Sequence, residues 1–203
     1  MGWESVAAYV GIAGMLLFAV IAIVLHVFPS GYNPLRNPVS DYATGSFRAL
    51  MVVAYLLLGI GVLALTAALA AGLGAGKRVA VGVFFIGVFG ASRLLVAFFP
   101  SDVDGADRTA IGRIHSWLTG IGFTALPLAA IAVTPVFGRV QAWLDVASPL
   151  RRLELLVVLL AIILLFTRIK PLRVVFGLVE RLFYVSSFVW LVVIALHFAL
   201  LKR

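Results

Sequence analysis

Long apolar runs fill this chain, and the few polar residues set between them are of the types that do chemistry. His26 stands near the end of the first run, Ser40-Asp41 lies in the loop that follows, and Arg93 sits inside the third run, seven residues before Pro100. Phe99-Pro100-Ser101-Asp102 opens the next loop and Gly112-Arg113-Ile114-His115 closes it. Asp41 and His115 are the candidate catalytic pair. An imidazole titrates near neutrality, a carboxylate orients it or shares its proton, and water is the nucleophile they would activate for hydrolysis or acyl transfer. Arg93 and Arg113 offer planar guanidinium forks that match phosphate or carboxylate oxygens. Ser40, Asp102, Glu180 and Arg181 are the further candidates for substrate contact. His26, His115 and Asp41 supply the nitrogen and oxygen donors that a divalent metal takes. Their spacing matches no H-E-x-x-H pattern, and a bis-histidine haem site from His26 and His115 has only their similar depth to support it.

Each of these residues also fits a purely structural role. Ser40-Asp41 reads as a helix N-cap with an acidic first turn ahead of the second apolar run. Arg93 lies about 10 Å below the end of its helix, where a charge must pair or snorkel, and Asp41, Asp102 and Asp104 are the carboxylates within its reach. A salt bridge there would simply lock helices together. Asp102-Val103-Asp104-Gly105 has the composition of a turn that holds a cation loosely, if at all. Ser186 and Ser187 fall one to two turns beyond Glu180-Arg181 and are expected to line the same pocket, whereas His197 is expected at the opposite interface. No nucleophile elbow, phosphate-binding loop or dinucleotide fingerprint is present.

The elements that must position these residues are helices in a bilayer. A chain of 203 residues that is 64% hydrophobic and 12% charged, with a mean hydropathy of +1.17, has too little polar surface for a water-soluble domain. Spans of roughly 20 apolar residues are expected at 6–28, 49–72, 79–99, 114–137, 150–168 and 182–201. The fifth is the shortest apolar run, because Arg151, Arg152 and Glu154 must sit at headgroup level. The stretch 169–181 reads as an interfacial turn or short amphipathic helix, and Pro127 and Pro135 as kinks or a stop in the fourth span. Glycines such as Gly82, Gly87, Gly90, Gly120 and Gly122 read as close-packing positions. The expected fold is therefore all-α: one domain over residues 1–203, a polytopic integral membrane protein built as a six-transmembrane-helix bundle.

With the face bearing the N-terminus called A, the connections 29–48, 100–113 and 169–181 all open on face B. Seven cationic side chains then fall on face A and eight on face B, so the positive-inside rule is nearly balanced; the longer face-B loops favour cytoplasmic termini. The formal charge of +8 is spread over loops and helix ends, which points to headgroup contact and away from nucleic acid. No cysteine is present, so disulfide and thiolate chemistry are excluded. Met1-Gly2-Trp3-Glu4-Ser5 lacks a basic n-region and the apolar run behind it is too long for a cleaved signal, so it is expected to remain as a span of a multi-pass cell-membrane protein.

Three motifs carry a family resemblance. Leu25-His26 with 33–45, reading Asn33-Pro34-Leu35-Arg36-Asn37-Pro38-Val39-Ser40-Asp41-Tyr42-Ala43-Thr44-Gly45, is the first. Phe99-Pro100-Ser101-Asp102 followed by Gly112-Arg113-Ile114-His115 is the second, and Gly177-Leu178-Val179-Glu180-Arg181 the third. In this order they resemble the prokaryotic membrane-protein family called domain of unknown function 998, nearly end to end. Glu180 stands where that family more often has Gln. The resemblance implies six transmembrane helices and no assigned activity. The Ser-Asp pair ahead of a helix, with a later helix-opening histidine, more distantly resembles DRAM-like and GPI-lipid-remodelling membrane proteins, which implies a lipid-related role.

Two functional classes follow. In one, the polar cluster at face B binds or processes a lipid headgroup, with membrane lipids as partners and a divalent metal as a candidate cofactor. In the other, the chain is a non-catalytic accessory or scaffold subunit whose buried ion pairs only lock helix packing. A transporter is disfavoured, because no pair of spans is broken by Gly or Pro at mid-membrane. Oligomeric state is left open by the sequence.

Overall fold

A computed structural model of the chain describes residues 2–28, 31–74, 76–103 and 107–202, with Lys170 described by its backbone alone. Asp104 and Gly105 of the expected turn, together with Pro29, Ala75 and Arg203, lie outside the described residues. The described residues form six long helices and no strand: α1 (Trp3–Val27), α2 (Arg48–Gly72), α3 (Lys77–Val96), α4 (Ala110–Phe137), α5 (Leu144–Phe166) and α6 (Phe176–Leu201). Short 3-10 turns at Val39–Ala43, Gln141–Trp143 and Lys170–Val175 join them.

Each helix packs on the next in sequence, and α6 closes the ring on α1. The order is antiparallel. Ser5 near the start of α1 donates to the carbonyl of Ala199 near the end of α6, while His26 at the far end of α1 meets Arg181 near the start of α6. Face A thus gathers residues 5, 142–145 and 197–199, and face B gathers 26, 37–41, 99–102, 109–115 and 177–181.

Interior and exterior are both apolar. Met15, Phe18, Tyr55, Phe89, Leu126, Phe183 and Trp190 fill the core, and large residues such as Leu16, Ile23, Ile60, Phe84 and Val185 face outward. A helix that is apolar all round belongs in a lipid environment, and five stretches are long and apolar enough to cross a membrane: α1, α2, α3, α4 and Pro171–Leu201. The expected fifth span, at α5, is helical but does not join them, because Arg151, Arg152 and Glu154 fall inside its apolar window. Lipid supplies no hydrophobic drive between helices, so close approach must come from small residues. A Cβ at Gly14 would run into the backbone of Leu57 and Gly61, and one at Gly59 would lie 2.6 Å from the backbone nitrogen of Leu94.

Several boundaries differ from the sequence expectation, such as α5, which starts at Leu144 rather than 150, and two differences bear on the polar cluster. α2 starts at Arg48, so Ser40-Asp41 is not its N-cap but part of the separate 3-10 turn, a loop turning back on the bundle before the helix begins. α6 starts at Phe176 rather than 182, because Glu180 and Arg181 find buried partners and need not stop the helix. α4 runs through Pro127 and ends two residues after Pro135; packing on α3 and α5 supports it across the lost hydrogen bond.

Candidate functional site

The three motifs meet at face B, and the first and third interlock. Gly177 allows the loop to press onto the start of α6: a Cβ there would run into the carbonyl oxygens of Asn37 and Pro34. The amide of Leu178 donates to the carbonyl of Leu35 at 3.1 Å. The Glu180 carboxylate, fully buried, accepts the amide of Val39 at 2.7 Å. Arg181 donates from Nη1 to the carbonyls of Asn37 and Gly177, both at 2.8 Å, and from Nε to His26 Nε2 at 2.6 Å. His26 in turn donates from Nδ1 to the carbonyl of Ala22, so both ring nitrogens are in use. Asn37 donates to Asp41 at 2.9 Å, and Asp41 is buried.

The second motif forms its own unit. Asp102 accepts from the amide of Thr109 at 3.2 Å and from its hydroxyl at 2.6 Å, and Thr109 caps α4 by accepting from the amide of Gly112 at 3.0 Å. A Cβ at Gly112 would overlap the Asp102 carboxylate, so a larger residue there would displace that side chain. His115 donates from Nδ1 to the carbonyl of Phe99 at 2.7 Å, which orients the ring and leaves Nε2 with its lone pair and no hydrogen bond to a described residue. Ser101 reaches the carbonyl of Ser40 at 3.4 Å, joining this unit to the first motif.

Between the two units lies Arg93, only 1% exposed. Its Nη1 donates to the Tyr184 hydroxyl at 2.8 Å and its Nε to Ser92 at 3.3 Å. Longer bonds from Nη2 reach the carbonyls of Leu118 and Thr119 at 3.4 and 3.5 Å. Its guanidinium also stacks over Phe89 and Phe123, with ring centroids at 5.4 and 5.2 Å. No carboxylate of a described residue comes within 4.0 Å, so Arg93 makes no salt bridge with Asp41 or Asp102. Its charge still acts on its surroundings: Arg93 interacts electrostatically with Glu180, His115, Tyr55 and Tyr184, and Asp41 with Glu180 and Tyr55.

The structure therefore brings Asp41, Glu180, Arg181 and His26 into one network and Asp102 and His115 into a second, with Arg93 in range of both. Arg113 stays outside, exposed, with one long bond to the carbonyl of Arg108. Among the described residues, no three of His, Asp and Glu are gathered as a metal ion would need. Ser186 bonds back to the carbonyl of Phe183, and Ser187 is fully buried without a hydrogen-bond partner among the described residues. The sequence reading missed Tyr184 and Thr109. A tyrosine one turn beyond Glu180-Arg181, and a threonine three residues before Gly112, were the available signals.

A ring of long apolar helices, closed at one end by buried polar bonds, defines a helical membrane protein. The chain belongs to the family described as protein of unknown function DUF998, whose profile matches residues 12–197. No curated protein and no solved structure matches it, so the likeness to DRAM-like and GPI-lipid-remodelling proteins rests on the short motifs alone.

Proposed function

We propose that this chain is a six-span membrane protein whose face-B end binds the anionic headgroup of a membrane lipid. The sixth span in this reading is α5. Its buried Glu154 is held by Arg151 at 2.6 and 2.7 Å, and Arg151 and Arg152 are exposed at headgroup level, so the net cost of its charges is modest. The observation that carries the headgroup reading is Arg93. A buried cation among apolar helices is expensive unless an anion neutralises it, and only hydroxyls, carbonyls and ring faces surround this one. A phosphate or carboxylate entering from face B would supply the missing charge. His115 stands ready beside it, its Nε2 able to accept a proton from a ligand hydroxyl or a bound water.

A second reading fits the other half of the site. Glu180 and Arg181 bond mainly to backbone atoms of residues 37–39, and that network reads as a lock holding the first loop on α6. In our proposal, Arg93, His115 and Asp41 face the ligand, while Glu180, Arg181 and His26 hold the wall.

Thermal unfolding of the purified protein with anionic or zwitterionic phospholipid, with and without divalent cations, tests the headgroup reading. A ligand that binds only the folded state raises the midpoint in proportion to its affinity. Anionic lipid is expected to raise the midpoint of the wild type by more than it raises that of Arg93→Met or His115→Asn. The same lipid response in all three proteins would rule the site out.

A further inference from the structure

Gly120 breaks the pattern of the interhelical glycines. A Cβ at Gly82 would lie 2.7 Å from Val133, and one at Gly122 would run into Ser92 and Arg93, yet one at Gly120 meets nothing within 4 Å. The space beside Gly120 belongs to a groove of about 420 Å³ on the outer surface, between Phe85 and Val88 of α3 and Trp117, Thr124 and Leu128 of α4. That volume falls in the range of small-molecule sites, roughly 300–1,000 Å³.

We propose that this groove seats one acyl chain of an anionic phospholipid in the face-B leaflet, with Arg113 meeting its phosphate. Three observations carry this. The walls from Trp117 to Leu128 span eleven residues of helix, about 16 Å, which is half the roughly 30 Å hydrocarbon core and so the depth of one leaflet. Arg113 lies on the same face of α4 as Trp117, Gly120 and Thr124, spaced i, i+4, i+7 and i+11, at the face-B end of the groove. It is exposed and has no carboxylate partner among the described residues, so its charge is available to a headgroup. Trp117 is 74% exposed beside it, at the level where amphipathic rings anchor to the interface. The inference rests on the membrane-spanning reading but not on the Arg93–His115 site, whose residues face the other side of α4.

Gly120 also supplies the test, because a larger side chain can fill the groove without displacing a neighbour. The protein is reconstituted into vesicles of mixed phosphatidylcholine and phosphatidylglycerol, extracted into detergent, and its retained lipid counted by native mass spectrometry. Because the Arg93 site would hold an anionic lipid of its own, the count is made in Arg93→Met, which is expected to keep one phosphatidylglycerol per chain. Adding Gly120→Leu should remove that lipid, adding Gly120→Ala should leave an intermediate amount, and all variants should remain folded. Arg113→Gln should still keep a lipid but lose about fivefold of the preference for the anionic one, as one basic residue at a surface contributes. No lipid in Arg93→Met, together with retention in a protein carrying Gly120→Leu alone, would assign all the lipid to the Arg93 site and overturn the groove. Equal retention in Arg93→Met with and without Gly120→Leu would likewise overturn the groove. A dimer of wild type that Gly120→Leu abolishes would give the groove to a second copy of this chain and overturn the lipid.

Discussion

Arg181 and Arg93 lie toward the same end of the bundle and are held in opposite ways. Arg181 and its neighbour Glu180 bond to the backbone of residues 37–39 and to His26, so each bond ties one stretch of chain to another. Arg93 reaches only a hydroxyl of Tyr184, the hydroxyl of Ser92, two carbonyls already used by their own helix, and two ring faces. The first arrangement specifies where a loop sits. The second joins α3 to α6 and α4 through neutral groups and leaves the charge without a carboxylate within 4.0 Å among the described residues. A polar pair bonded to the backbone of a remote loop acts as a lock, whereas a cation bonded only to neutral groups of the spanning helices keeps a charge that a ligand can meet.

Mutations of the lock should therefore cost more stability than mutations of Arg93. The largest expected effect is Gly177→Ala. A Cβ there meets backbone oxygens of Asn37 and Pro34, which cannot swing aside as a side-chain tip can, so the loop must lift off α6. The loss should be about 3 kcal/mol, the upper end for overpacking, read as unfolding in denaturant. A Gly177→Ala protein as stable as wild type would mean that the loop is not seated on α6.

Glu180→Ala should come next, at about 2 kcal/mol, because it leaves the buried amide of Val39 without an acceptor. Glu180→Gln keeps an acceptor oxygen and should recover most of that loss. Hydrogen exchange gives a local reading: the Val39 amide should exchange roughly tenfold or more faster in Glu180→Ala, with little change in the core of α2. Thr109→Ala should cost about 1 kcal/mol as a lost helix cap, and it also releases Asp102. Its effect should stay at the start of α4 and leave Val39 exchange unchanged, which would separate the two units of the site.

The helices were legible in the sequence because the bilayer demands long uninterrupted apolar runs, and the polar islands marked the face where they end. Glycines at 14, 59 and 82 had the contacts that small residues suggest, whereas Gly120, identical in type, opens a groove instead. Sequence spacing alone cannot separate those cases, because what decides them is the partner helix. The convergence of Ser40-Asp41 with Glu180-Arg181 needed the closure of α6 on α1, a contact between residues some 140 positions apart. Charge pairing was the least legible feature. Carboxylates within sequence reach of Arg93 suggested a salt bridge, but Asp102 is turned toward Thr109 and Asp41 toward Asn37. Local backbone and side-chain donors captured both acids before a helix-buried cation could.

The smallest stability change is expected for Arg93→Met, and it is the sharpest test of the comparison. Methionine keeps the length and apolar stem of the arginine and adapts to irregular space against Phe89 and Phe123. Replacing a buried charge by an apolar side chain of similar volume is often neutral or stabilising, whereas removing one member of a buried ion pair strands the other. Arg93 has no carboxylate partner to strand, and the carbonyls of Leu118 and Thr119 retain their helical bonds. The unfolding free energy should therefore stay within about 1 kcal/mol of wild type or rise, while the stabilisation by anionic lipid falls. If Arg93→Met instead costs as much as Glu180→Ala, Arg93 is a second lock, the two arginines do the same work, and the headgroup reading loses the observation on which it stands.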